Sequence, residues 1–152
     1  MRIFVMALLL LFAGCAVKKP LHSQSVVLTV KTPKLRYSGA GFLYRGKDAL
    51  FEAYEGEAAF ALKVGDRVCM SGRCLSFEEF NRRFLVSCYP RDLLKRVLLA
   101  KPLPSTLEKT ENGFLQRWKT SCFDIVYSIN GDNVSFKDKK NKIVIKVRRI
   151  DG

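Results

Sequence analysis

Histidine is nearly absent from this chain: among 152 residues there is one, His22. That scarcity removes Ser-His-Asp and Cys-His nucleophilic sites. It also removes the paired-histidine helix of zinc enzymes. The one glycine cluster, Ser38-Gly39-Ala40-Gly41, opens no helix and reads as a flexible break, so it lacks the setting of a phosphate-binding loop. Glu78 and Glu79 are adjacent but begin a helix, and Glu52, Glu55 and Glu57 gather as they would on a solvated hairpin. Neither group makes a good carboxylate pair for glycoside cleavage. These gaps point away from an enzyme, and they imply no cofactor and no metal. No apolar run reaches the ~20 residues of a membrane-spanning helix. Internal repeats and low-complexity tracts are missing too. Acidic residues are scarce: 14 Asp and Glu face 27 Lys and Arg, a formal net charge of +13. Such a surface suits anionic partners.

What is present begins at the N-terminus. Met1-Arg2 carries one positive charge, residues 3–12 are unbroken apolar, and Ala13-Gly14 leads into Cys15. Charged start, apolar middle and small residues form the layout of a secretory signal. The cysteine directly after the small pair resembles the bacterial lipoprotein signal, with Phe12 at a position where leucine is usual. The resemblance implies cleavage before Cys15 and its acylation, which anchors the chain to a membrane. The expected organisation is a signal peptide over 1–14, a lipidated tether over 15–25 containing His22, and one periplasmic domain over 26–152. Behind an export signal, the anionic partners become lipid phosphates, lipopolysaccharide or an acidic protein, and nucleic acid is not expected.

Four further cysteines are Cys69, Cys74, Cys88 and Cys122. An even number in an exported chain suggests disulfides. One pairing is favoured locally. Ser71-Gly72 reads as a two-residue hairpin turn, which sets Cys69 opposite Cys74 in a non-hydrogen-bonded pair. Cys88 would then pair with Cys122. Four reduced buried thiols are the alternative, and the irregular spacing fits zinc poorly.

Strand-like alternation runs from residue 25 to 75, with Pro33 interrupting. Phe42-Leu43-Tyr44 stands between Gly41 and Gly46, and Ala58, Phe60, Leu62 and Val64 share one face. Ser76-Phe77-Glu78-Glu79 is a capping box. Phe77, Phe80, Phe84 and Cys88 follow it at helical spacing. Pro90 ends that helix. A second spans 91–100, with Leu93, Leu94, Val97 and Leu98 on its apolar side. Residues 105–112 are polar and loop-like. Strands resume at Gly113, and the last sets Ile143, Ile145 and Val147 on one face. The expected fold is α+β: a curved antiparallel sheet, an incomplete barrel, with two short helices against its concave face. Phe60, Leu62, Phe77, Phe80, Phe84, Leu94, Val97 and Leu98 then form two apolar surfaces facing each other. Packed fully, they are a core; held apart, they line a hollow for apolar ligands.

Two stretches resemble the outer-membrane lipoprotein receptor family LolB. One is Cys74-Leu75-Ser76-Phe77-Glu78-Glu79-Phe80 running on to Leu98-Leu99-Ala100-Lys101-Pro102-Leu103-Pro104. The other is Phe123-Asp124-Ile125-Val126-Tyr127 with Phe136-Lys137-Asp138 and Lys142-Ile143-Val144-Ile145-Lys146-Val147. The likeness covers about half the chain, and the cysteines are not part of the family pattern. It implies an acyl-chain hollow and a LolA-like periplasmic carrier that hands over lipoproteins. It further implies an apolar membrane-inserting loop, for which Phe42, Leu43 and Tyr44 are the candidates; a strand in the core is their other reading. Ala16, after the lipidated cysteine, is permissive for the outer membrane under the enteric sorting rule. A different class, the LptE-like assembly lipoproteins of lipopolysaccharide export, fits the strand-helix-strand order as well and would use the basic surface to bind anionic lipid.

Overall fold

Alternating apolar and polar residues build one sheet. A computed structural model describes residues 23–54 and 60–150. Six strands come first: β1 (Ser23–Lys31), β2 (Arg36–Arg45), β3 (Ala49–Ala53), β4 (Ala61–Val64), β5 (Val68–Met70) and β6 (Arg73–Leu75). Helices α1 (Phe77–Phe84) and α2 (Leu93–Leu98) follow. Five strands close the chain: β7 (Glu108–Thr110), β8 (Gly113–Lys119), β9 (Asp124–Asn130), β10 (Asn133–Asp138) and β11 (Ile143–Arg149). All pair antiparallel in a single open sheet of order β6-β5-β4-β3-β2-β1-β11-β10-β9-β8-β7. The long-range step joins β1 to β11, with Leu28 opposite Val147 and Val30 opposite Ile145. The two helices have only eight and six residues, so the fold is mostly β rather than an even α+β mixture.

One sheet face is apolar. Val26, Leu28 and Val30 of β1, Leu43 of β2, Ile125 and Tyr127 of β9, Phe136 of β10 and Ile145 of β11 are buried in one cluster with the apolar sides of both helices. Two helices this short cannot cover eleven strands, so residues from distant strands such as Val68 and Ile129 complete the same core.

Several sequence expectations change here, each for a physical reason. Gly39 and Gly41 do not break the chain. They lie inside β2, paired with Leu28 and Val26. Phe42, Leu43 and Tyr44 are therefore strand residues, not a protruding loop. Gly41 is required by close approach: a Cβ there would collide with the Glu52 carbonyl and come within 2.8 Å of Phe51 Cζ. Gly41→Ala should force β2 from β3 and cost about 1–3 kcal/mol, read as a lower denaturant midpoint at unchanged slope.

The polar stretch 105–112 contains β7, whose three residues are exposed and carry no apolar signature. Backbone pairing with β8 alone makes it a strand. Helix α1 stops at Phe84, short of the expected Cys88. Beyond it, Cys88 bonds to Cys122, and the Tyr89 hydroxyl donates to Asp138 on β10. Those tertiary partners replace further helical turns.

Most local devices appear as expected, although the Glu79 carboxylate of the capping box pairs with Arg83 at 3.0 Å. Ser76 caps α1 by accepting from the Glu79 N–H at 3.2 Å. Ser71 and Gly72 take φ of 46° and 89°, as a type I′ turn requires. Cys69 faces Cys74 in the β5–β6 ladder, with Cα atoms 4.0 Å apart and a disulfide between them. The second bridge, Cys88–Cys122, spans 6.6 Å between Cα atoms.

Candidate functional site

Cys15, with the signal segment and most of the tether, lies outside the described residues. The candidate inserting trio is split by the pleat of β2. Leu43 is 1% exposed in the core, while Phe42 is 41% exposed on the opposite face, packed edge-on against Tyr54 at 4.9 Å. A charge placed at Leu43 would be buried and unpaired, so that change would test folding rather than membrane insertion.

The eight hollow candidates do come together. Leu62, Phe77, Phe80, Leu94, Val97 and Leu98 are buried in the core, and Phe60 and Phe84 are partly buried against it. In this arrangement they pack together as a closed core. Ring contacts within α1 and on the sheet contribute to this closure. Phe80 and Phe84 pack at 5.1 Å between ring centroids, and Phe60 stacks on Tyr37 at 4.0 Å.

The polar groups beneath α2 were not expected. Arg45 is on the core-facing side of β2, in phase with Leu43. Its Nε donates to the Leu98 carbonyl at 2.7 Å, and its Nη1 donates to Gln24 Oε1 at 3.2 Å. Its Nη2 is buried with no hydrogen-bond partner among the described residues. Burial lowers the guanidinium pKa, against the opposing pull of Asp132 and Tyr127. Tyr127 hydroxyl donates to the Lys101 carbonyl at 3.0 Å, and burial pushes its pKa up. Arg45 and Tyr127 thus hold the carbonyl end of α2. At its other end, Asp92 makes no side-chain cap. A cavity of about 220 Å³ adjoins this latch, lined by Gln24, Leu43, Arg45 and Asp132.

No protein-family model matches this chain, and no curated protein matches its sequence. The chemistry must therefore be read from the geometry.

On its outer side α2 borders a cleft of about 740 Å³. Its lining combines Lys47, Arg91, Lys95, Arg96 and Lys101 with the carboxylates of Asp66 and Asp92 and the apolar Phe77 and Leu99. Three of these cations are paired: Arg91 with Glu78, Lys95 with Asp48 and Arg96 with Asp92. Among the described residues no cluster of three His, Cys, Asp or Glu side chains is placed to hold a metal ion. The site has cations and apolar surface, which suits binding of amphiphilic anions.

Arg45 left a faint trace in the sequence. It continues the i, i+2 phase of Tyr37, Gly39, Gly41 and Leu43, but it precedes Gly46-Lys47-Asp48 and reads as part of that turn.

Proposed function

We propose that the chain is a lipid-anchored receptor of the outer membrane, facing the periplasm through a domain tethered at Cys15. It accepts lipoproteins from a LolA-like periplasmic carrier and inserts them in that membrane, with neither catalysis nor cofactor. In this reading the open sheet is an incomplete barrel, the helices lie on its concave face, and acyl chains enter where α2 now packs. The carrying observation is a half-buried arginine, Arg45, holding the end of a six-residue helix over an apolar sheet face. An acyl chain of ~16 methylenes is worth about 13 kcal/mol of burial, comparable to the four buried side chains of α2 at about 1.5–3 kcal/mol each. Exchange of one for the other is therefore energetically feasible.

Two measurements test this. Native mass spectrometry of the domain mixed with a carrier loaded with lipidated protein should detect cargo moving to the domain; no transfer sinks the reading. Arg45→Leu should release the end of α2, so a fluorescent fatty acid should bind about tenfold more tightly, because less is spent on opening. Unchanged affinity in a folded variant would remove α2 from the entry route.

The second reading, an LptE-like assembly lipoprotein, is favoured by the cleft in which five cations outnumber two carboxylates beside the apolar Phe77 and Leu99. It expects a stable complex with lipopolysaccharide or an outer-membrane pore, and no cargo transfer.

A further inference from the structure

A concentrated cluster of like charge lies away from both α2 sites, at one end of the sheet. The β1–β2 and β10–β11 turns lie side by side there, because Lys31 is opposite Val144 across the β1–β11 ladder. Residues 31–36 and 137–142 carry seven cations: Lys31, Lys34, Arg36, Lys137, Lys139, Lys140 and Lys142, all exposed. None of the seven enters a salt bridge among the described residues. The one carboxylate in these segments, Asp138, is 1% exposed and is spent on holding its own turn. A groove of about 520 Å³ runs between the tips, with Lys31, Arg36, Lys137, Lys139 and Lys142 around it and Pro33 at its side.

We infer that these paired tips dock on the phospholipid headgroups of an anionic bilayer surface. Concentrated like charge of this kind is held in the folded state without internal compensation, and an external anion supplies what is missing. Six of the seven cations are lysines, whose flexible point charges suit a diffuse array of phosphates more than a shaped bidentate site. The tips form a firm platform: four ladder strands back them, and the Asp138 network fixes the second turn. β1 runs about 26 Å from Ser23 to Lys31. The platform is thus at the far end of the strand from the side where the tether enters. It gives the domain a membrane contact separate from its lipid anchor, and it needs no cargo, so it stands apart from the receptor reading.

The test is vesicle co-sedimentation of residues 16–152, which include every core residue but lack the signal segment and the acylated cysteine. Phosphatidylcholine vesicles with and without phosphatidylglycerol are compared, at low and physiological salt. The expected result is binding that depends on phosphatidylglycerol and weakens with salt. Each lysine near an anionic surface contributes about fivefold in partitioning, so Lys137→Gln, Lys139→Gln and Lys142→Gln together should lower it roughly a hundredfold. Lys31→Gln with Arg36→Gln probes the other tip independently and should lower it about twentyfold or more. A control variant carries Lys63→Gln, Arg73→Gln and Lys109→Gln, which are exposed and lie away from the tips and from the cleft beside α2. Equal loss in that control would overturn the site, since net charge alone would then explain binding. So would an absence of phosphatidylglycerol dependence, or binding through the tips to polyglutamate or lipopolysaccharide but not to vesicles.

Discussion

Asp138→Ala is expected to destabilise the domain by about 3–5 kcal/mol, the cost of breaking a buried, fully satisfied charged network. Oδ1 of Asp138 accepts from three backbone N–H groups: Asp124 and Lys140 at 3.1 Å and Asn141 at 3.2 Å. Oδ2 accepts from the Tyr89 hydroxyl and, at 2.6 Å, from Asn141 Nδ2. Alanine removes one acceptor from each of those donors, Asn141 Nδ2 alone retaining a second, the Cys122 carbonyl, and each buried orphan costs about 1–3 kcal/mol. The pH dependence follows from the same contacts. Burial pushes the Asp138 carboxyl up, but the hydrogen bonds from Asn141, Tyr89 and Asp124 outweigh it and hold the group below its ordinary value. A depressed folded-state pKa gives stability that is complete above the unfolded value near ~3.9 and is lost as pH falls from there through the lower folded-state value. Tyr89 behaves oppositely. Burial and its bond to Asp138 push the hydroxyl pKa well above the usual range. Its contribution is complete below about pH 10 and is lost as pH rises beyond it. Urea denaturation across pH should therefore fall away on both sides of neutrality. Asp138→Ala should flatten the acid limb and Tyr89→Phe the alkaline one. An Asp138→Ala domain within about 1 kcal/mol of the wild type would mean that the network holds nothing.

This network also marks the limit of what the sequence makes legible. In β10, Val134, Phe136 and Asp138 share the buried phase, so Asp138 sits where an apolar residue is expected. Followed by Lys-Lys-Asn, it reads as an ordinary turn residue, and its partner Tyr89 is 49 residues away. Contacts at that distance leave no local pattern. Local features read well for the opposite reason: the alternation of Ile143, Ile145 and Val147, the cap at Ser76 and the Ser71-Gly72 turn are each fixed by residues a few positions apart. The Cys69–Cys74 pair belongs with them, since a two-residue turn sets the register. Gly41 misleads because glycine has two uses. It gives flexibility in a loop, but inside β2 it gives the close approach of β3. β7 is invisible because an exposed edge strand buries no side chain.

The candidate site shows a further ambiguity, between a core and a ligand hollow. Leu94, Val97 and Leu98 have the same sequence signature in either state, because both need an apolar face at helical spacing. What separates them is how firmly the cover is held, and that depends on polar latches. α2 has no side-chain cap at its start, and its end is held by Arg45 and Tyr127. α1, by contrast, has a capped start and acidic residues in its first turn, while basic residues end both helices. Complementary charges at both ends of α1 stabilise it where it stands. Of the two helices, α2 is the better candidate to move, and Arg45 is the residue through which that motion is tested.

Removing the Cys88–Cys122 bridge by Cys88→Ser with Cys122→Ser should cost about 3–4 kcal/mol, against about 2 kcal/mol for Cys69→Ser with Cys74→Ser. The difference comes from loop closure in the unfolded chain: the first bridge closes 34 residues and the second only 5. The longer loop has a structural consequence that the shorter one lacks. It contains α2, β7 and β8, so the bridge ties the segment entering α2 directly to the chain entering β9. The Cys122 carbonyl accepts from Asn141 Nδ2 at 3.0 Å, which joins the bridge to the Asp138 network. Loss of both should therefore be non-additive, because residues sharing one network couple by about 0.5–3 kcal/mol. Denaturant midpoints of the two double-serine variants, and of Cys88→Ser/Cys122→Ser combined with Asp138→Ala, measure both effects. Equal costs for the two bridges would defeat the loop-closure account. Hydrogen exchange locates the damage: without Cys88–Cys122, amides of α2 should exchange faster while those of β1 and β11 hold. The helix that the receptor reading requires to move is then also the one whose stability depends on an oxidising compartment, where such a bridge persists.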